Sequence, residues 1–201
     1  MSAAPIEIGV AQLTMAGEHE SGDRWIVKTS PDRALVGVID GLGHGARAAE
    51  VAETAVGVID AYWQERVDDL MLRCHEQLSG SRGAVLTLME IDCAQGRLTW
   101  VGAGNVATAV LQREPLGWLN RTELLVRSGV AGARLPSAEP SKICVRSGDL
   151  IVAATDGVRP SFIDGLEFES PQGLADRLLQ EYRTDTDDAL VVVIRVGARE
   201  Q

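Results

Sequence analysis

The tightest constraint on this chain is its division into short apolar segments with only two stretches of helical periodicity between them. The segments are Ile6–Leu13, Trp25–Lys28, Leu35–Asp40, Ala84–Ile91, Leu98–Val101, Ala107–Leu111, Glu123–Val126, Ser141–Val145, Leu150–Ala154 and Ala189–Val196. Each has strand length and alternates or runs continuously in apolar residues. Between the third and fourth, Ala48, Ala52, Val56, Ile59 and Trp63 follow 3.6-residue spacing, and Leu70, Met71, Cys74 and Leu78 repeat it. That spacing predicts two helices in succession. Another helix is expected over Pro171–Tyr182, with Pro at its start and Leu174, Leu178 and Tyr182 on one stripe. "DCAQGR" reads as a hairpin turn, and most joins between strands are equally short, so the sheets should be mainly antiparallel. The class is α+β; a regular βαβ alternation is missing, which argues against a doubly wound nucleotide fold.

A length of 201 residues, 45% of them hydrophobic and 24% charged, predicts one domain over 1–201. The net charge of −10 argues against nucleic acid and anionic membrane as partners and suits cation binding. No basic-then-apolar leader opens the chain, and no apolar run reaches the roughly 18 residues of a membrane span, so the expected location is the cytoplasm. Cys74, Cys93 and Cys144 form no CxxC pair and are odd in number, which predicts reduced thiols in the core.

Aspartates recur at strand ends. Asp40 follows "ALVGVI", Asp156 follows "LIVAAT", and Asp187 and Asp188 precede "ALVVVIRV"; Asp23 stands in "SGDRW" just ahead of the second strand. Carboxylates gathered beside an apolar interior raise one another's pKa and resist desolvation, an objection that a divalent cation removes. An all-oxygen donor set points to Mg²⁺ or Mn²⁺ rather than zinc, and the three histidines are scattered. Taken singly, each Asp-Gly pair is also ordinary turn chemistry, and Asp188 fits a capping role equally well.

The motifs in order carry more than any one of them. "SGD" at Ser21–Asp23, "DGLGHGARAAEVA" at Asp40–Ala52, "GAGN" at Gly102–Asn105, "SGDLIVAATDGV" at Ser147–Val158 and "DDALVVVIR" at Asp187–Arg195 resemble SpoIIE-type metal-dependent serine/threonine phosphatases of the PPM superfamily. The resemblance implies a four-layer α-β-β-α sandwich with two mainly antiparallel sheets. It implies two divalent cations, Mn²⁺ or Mg²⁺, and hydrolysis of phosphoserine or phosphothreonine by a metal-bridging water. Asp40 takes the position of the bridging ligand, Gly41 that of a backbone ligand, Asp156 and Asp187 those of further ligands, and Asp23 that of a residue acting through metal-bound water. The compact length most resembles the stressosome feedback phosphatases of this family, which implies phosphorylated STAS-domain stressosome proteins as partners and a monomeric enzyme. A phosphatase of a phosphorylated anti-sigma-factor antagonist, and a non-catalytic phosphoprotein-binding relative, are the alternatives. Leu190 stands where the family often has threonine, Asn105 where it often has histidine, and Arg159–Pro160 where an acidic residue is common. Arg24, Arg47 and Arg159 are candidate phosphate contacts, and His44 has no assigned role. "GAGNVA" satisfies a dinucleotide-type GxGxxA pattern, but Pro115 stops the following segment before a helix can open.

Overall fold

Arg33–Gly41 (β3) is buried from Ala34 to Ile39 without alternation, so it needs cover on both faces. In the computed structural model, which describes residues 5–113, 119–125, 127–135 and 137–197, that cover comes from helices on one side and a second sheet on the other. β3 lies between β2 (Asp23–Ser30) and β4 (Ala84–Asp92), followed outward by β5 (Arg97–Ala103) and β8 (Ser141–Cys144). The other sheet runs β1 (Ile6–Leu13), β10 (Ala189–Val196), β9 (Leu150–Ala154), β6 (Ala107–Arg113) and β7 (Leu119–Glu123). Every strand pairing within the two sheets is antiparallel.

Alternate residues of β3 serve different layers. Val36 and Val38 meet Ile151, Val192 and Ile194 of the second sheet, while Leu35 and Ile39 meet Ala52, Ala55, Ile59, Leu70 and Met71 of the helices α1 (Ala46–Tyr62) and α2 (Val67–Gln77). On the far side, α3 (Pro171–Tyr182) lays Leu174, Ala175 and Leu178 on Val191, Val193 and Val152. Helices, sheet, sheet and helix make the four layers expected from the sequence. Among the described residues no helix is long and apolar enough to cross a membrane.

Two expectations need correction, and one element is new. The strand anticipated at Glu123–Val126 lies earlier, at Leu119–Glu123, with Gln112 opposite Asn120; Val126 itself lies outside the described residues. An edge strand has one unpaired side and tolerates polar residues, so "LNRTE" carries no apolar signal, whereas Leu125 beyond it is 84% exposed. Not all cysteines are core thiols. Cys74 is buried and its thiol is pushed up to about 12 by burial, but Cys144 lies exposed on the edge strand β8. A short 3-10 helix over Pro160–Gly165 was not anticipated.

The docking of α3 leaves no room at Gly9 of β1. A Cβ there would lie 2.2 Å from the backbone of Pro171 and Gln172, whose side chain also bridges to the Val10 backbone. Gly9→Ala should therefore destabilise the protein by about 1–3 kcal/mol, as overpacking does. Urea unfolding of the two proteins measures the difference.

Candidate metal centre

The register of β2 against β3 sets Asp23 directly opposite Asp40, an arrangement of like charges that disfavours the sheet unless something neutralises it. At the same end of the second sheet, β9 finishes at Ala154 and leads into Thr155 and Asp156. β10 begins at Ala189, immediately after Asp187 and Asp188. The structure thus brings the four predicted aspartates to one edge where the two sheets meet.

Hydrogen bonds across the gap hold that edge together. Thr155 Oγ1 donates to Asp23 Oδ2 (2.7 Å) and accepts from Leu190 N (2.9 Å), linking the two sheets through one hydroxyl. Gly22 N donates to Asp188 Oδ2 (2.7 Å), and Met15 N donates to Asp188 Oδ1 (2.8 Å). Asp188 is buried and both its oxygens accept from the backbone, which is the structural role open to it from the sequence. Asn105 Nδ2 donates to Asp156 Oδ2 (2.9 Å), so the residue standing at the family's histidine position touches the edge. Thr155 and Asn105 lay inside quoted motifs but carried no signal of their contacts. The departure at Leu190 is resolved by Thr155: the Leu190 side chain joins the core while its N–H is held by a hydroxyl from the neighbouring strand.

Electrostatically the edge is strained. Burial, with Asp188, Asp156 and Asp187 adding to it against the Thr155 hydrogen bond, raises the Asp23 carboxyl to about 7. Burial and then Asp23, Asp156, Asp187 and Asp188 raise Asp40 to about 8. Asp187 is raised by its partial burial and by the Asp156 and Asp188 charges, against the hydrogen bond it accepts from Asp188 N and, more weakly, His44. Among the described residues no lysine or arginine forms an ion pair with Asp23, Asp40, Asp156, Asp187 or Asp188.

The glycines position the backbone. A Cβ on Gly41 would lie 2.2 Å from Ala48 O, so only glycine lets β3 end against the first turn of α1. Gly43 follows with φ +97°, a conformation that favours glycine. His44 pairs through Nδ1 with Glu18 Oε1 at 2.5 Å, a partner that the sequence did not suggest. Arg24 is tied to Glu53 and to the Ser21 and Asp23 carbonyls. Arg159 donates to Glu181 O and lies over the Tyr182 ring. Arg47, by contrast, is exposed.

The donor chemistry of the edge is all oxygen: carboxylates plus the backbone at Gly41, which fits a hard cation. Among the described residues no three His, Cys, Asp or Glu side chains are close enough to chelate one ion by themselves. Mg²⁺ is commonly bound through one or two carboxylates while it keeps several waters, and neighbouring carboxylates repel one another.

The pattern of the family Stage II sporulation protein E (SpoIIE) matches residues 30–197. Phosphoserine phosphatase RsbX of Bacillus subtilis (strain 168) is 30% identical over 101 residues, 50% of this chain and 51% of that protein. The chain thus aligns with about half the length of that curated relative. A chain solved in work on the bacterial stressosome, described as a modular system adapted to control secondary messenger signaling, superposes with TM-score 0.83 at 27% identity, covering 94% of this chain and 99% of that one. RsbX in complex with magnesium superposes with TM-score 0.84 at 24% identity over 96% of each chain, a likeness of fold.

The raised carboxyls have a consequence for stability. Below pH about 4, Asp23 and Asp40 are protonated in both folded and unfolded chains. Between about 4 and 8 the unfolded chain has lost protons that the folded chain keeps, so metal-free protein should lose stability as pH rises through that window. Thermal unfolding in chelator from pH 5 to 8.5 should show a falling midpoint, and Asp23→Asn/Asp40→Asn should flatten it. An unchanged slope in the double variant would refute the assignment.

Proposed function

The chain belongs to the SpoIIE family, and from that membership we propose that it is a metal-dependent protein serine/threonine phosphatase. The observation that carries the reading is the meeting of Asp23, Asp40, Asp156 and Asp187 at one sheet edge, with no arginine or lysine among the described residues paired to them. Ions resist desolvation, so a fold that gathers uncompensated carboxylates implies a cation among its ligands. Asp40, the Gly41 carbonyl, Asp156 and Asp187 would hold two divalent cations, Mn²⁺ or Mg²⁺, with Asp23 acting at one remove. When bound, such ions supply Lewis-acid activation of water for in-line attack on a phosphate ester and stabilise the charge that develops.

The chain's own residues then have separable tasks. Asp40 stands on a strand end fixed by pairing on both sides, so its carboxylate has little freedom. Thr155 keeps Asp23 turned toward the edge, and Asn105 orients Asp156. Asp188 closes the seam between sheets through Gly22 and Met15. No side-chain nucleophile is required: Cys74 is buried with a raised pKa, and Cys144 sits on an edge strand.

The likeness to RsbX and to a stressosome-associated chain supports a phosphorylated stressosome protein as substrate; the motif resemblance extends this to STAS-domain proteins and to a cytoplasmic, monomeric enzyme acting as a negative regulator. Phosphate release from a phosphorylated STAS-domain protein, followed with and without Mn²⁺, is the test. The wild-type protein should release phosphate only with the metal, and Asp40→Asn should lower the rate by about 10²–10³-fold, the scale of losing a principal electrostatic group. Binding of the phosphoprotein without release would instead make this a non-catalytic relative, and full activity in Asp40→Asn would refute the site.

A further inference from the structure

A cleft of about 530 Å³ opens between the first turns of α1 and the 78–82 loop, beside the acidic edge but not part of it. We propose that this cleft docks an acidic segment of the phosphoprotein substrate flanking its phosphorylated residue. The inference rests on the phosphatase reading and adds to it a determinant of which sequence is accepted.

Two arginines give the cleft its character. Arg47 projects from α1 and Arg82 from the loop, over a floor that includes Val51 and Leu78. Neither arginine makes a hydrogen bond or ion pair with any described residue, although Glu50 lines the same cleft and the chain carries 29 acidic residues against 19 basic ones. Six other arginines, Arg24, Arg33, Arg66, Arg73, Arg177 and Arg195, hold carboxylates within 3.0 Å, whereas Arg121 and Arg159 donate to backbone carbonyls; Arg47 and Arg82 differ in lining one cleft together. In a chain this acidic, two neighbouring guanidinium groups left without carboxylates are suited to taking them from another molecule. The planar fork of arginine accepts a carboxylate in bidentate fashion, and both forks lie on the rim of a cavity of ligand size.

The cleft and the acidic edge are joined by backbone. Leu42 N donates to Gly83 O (3.0 Å), which ties the loop carrying Arg82 to the end of β3. A Cβ on Gly43 would lie 2.7 Å from Arg82 Nη1, so the guanidinium rests directly over the glycine three positions after Asp40. A phosphorylated residue placed at the edge therefore has a path for its neighbours across Gly43 into the cleft. The edge itself is lined by carboxylates, so flanking acidic residues find favourable charge on the cleft side.

The test uses two phosphoserine peptides that differ only in three consecutive residues beside the phosphoserine, Asp-Asp-Asp or Ser-Ser-Ser, with p-nitrophenyl phosphate as a substrate that has no flanking chain. With Mn²⁺, the wild type should favour the acidic peptide by about tenfold in kcat/KM, chiefly through KM, as expected for charge-assisted contacts. Arg82→Glu should abolish the preference, and Arg47→Glu/Arg82→Glu should invert it. A second readout needs no turnover: fluorescence anisotropy of a labelled acidic peptide without phosphate should show about tenfold weaker binding to Arg82→Glu than to the wild type. Equal kcat/KM for the two peptides, or equal anisotropy curves for the two proteins, would overturn the docking site. Peptide binding that behaves as expected in a protein that hydrolyses nothing with Mn²⁺ would overturn the phosphatase reading and leave the cleft standing.

Discussion

Repulsion among carboxylates at the meeting of two sheets is the constraint on which the rest of this structure depends. Asp23 and Asp40 face each other across a strand pair, and Asp156, Asp187 and Asp188 come to the same place from the other sheet. Among the described residues no lysine or arginine pairs with them, and burial raises the Asp23 and Asp40 carboxyls to about 7 and about 8. A fold ordinarily avoids such an arrangement, because ions taken from water without a partner are costly. Its presence here is explained if the partner comes from outside as a divalent cation. The core, in which β3 is covered on both faces, supplies the rigidity that keeps the carboxylates in place against their repulsion.

The hydrogen bonds at the seam show how the two halves are kept in register. One hydroxyl, that of Thr155, both donates to Asp23 and accepts from Leu190 N, so sheet contact and site geometry are the same interaction. Asp188 does the equivalent with the backbone at Gly22 and Met15. On the helical side, Gly41 lets the first turn of α1 close against β3, and the chain then turns through Gly43 beneath Arg82. Packing, electrostatics and the approach to the site are therefore coupled within a few residues of Asp40.

Much of this was legible in the sequence, for identifiable reasons. Strands such as Ile6–Leu13, Leu150–Ala154 and Ala189–Val196 carried dense apolar signals and appear with the expected bounds. The polar edge strand Leu119–Glu123 did not, since an edge strand is not required to be apolar, and its neighbour Leu125 misled by being hydrophobic yet exposed. The aspartates at strand ends announced themselves because charge beside an apolar run needs a reason. Thr155, Asn105 and Glu18 were silent because their partners, Asp23, Asp156 and His44, are distant along the chain and polar pairings have no periodicity. Arg82 was silent for the same reason: only the fold brings it over Gly43.

Whether the acidic edge holds cations can be seen without following a reaction. Anomalous diffraction from crystals grown with Mn²⁺ addresses it most directly, since the signal locates the ion without reference to activity. Anomalous peaks should appear at the edge, beside the carboxylates of Asp40, Asp156 and Asp187 and the Gly41 carbonyl, and should be lost in Asp40→Asn. An edge without anomalous signal at saturating Mn²⁺, in crystals of the folded wild-type protein, would contradict a cation site there.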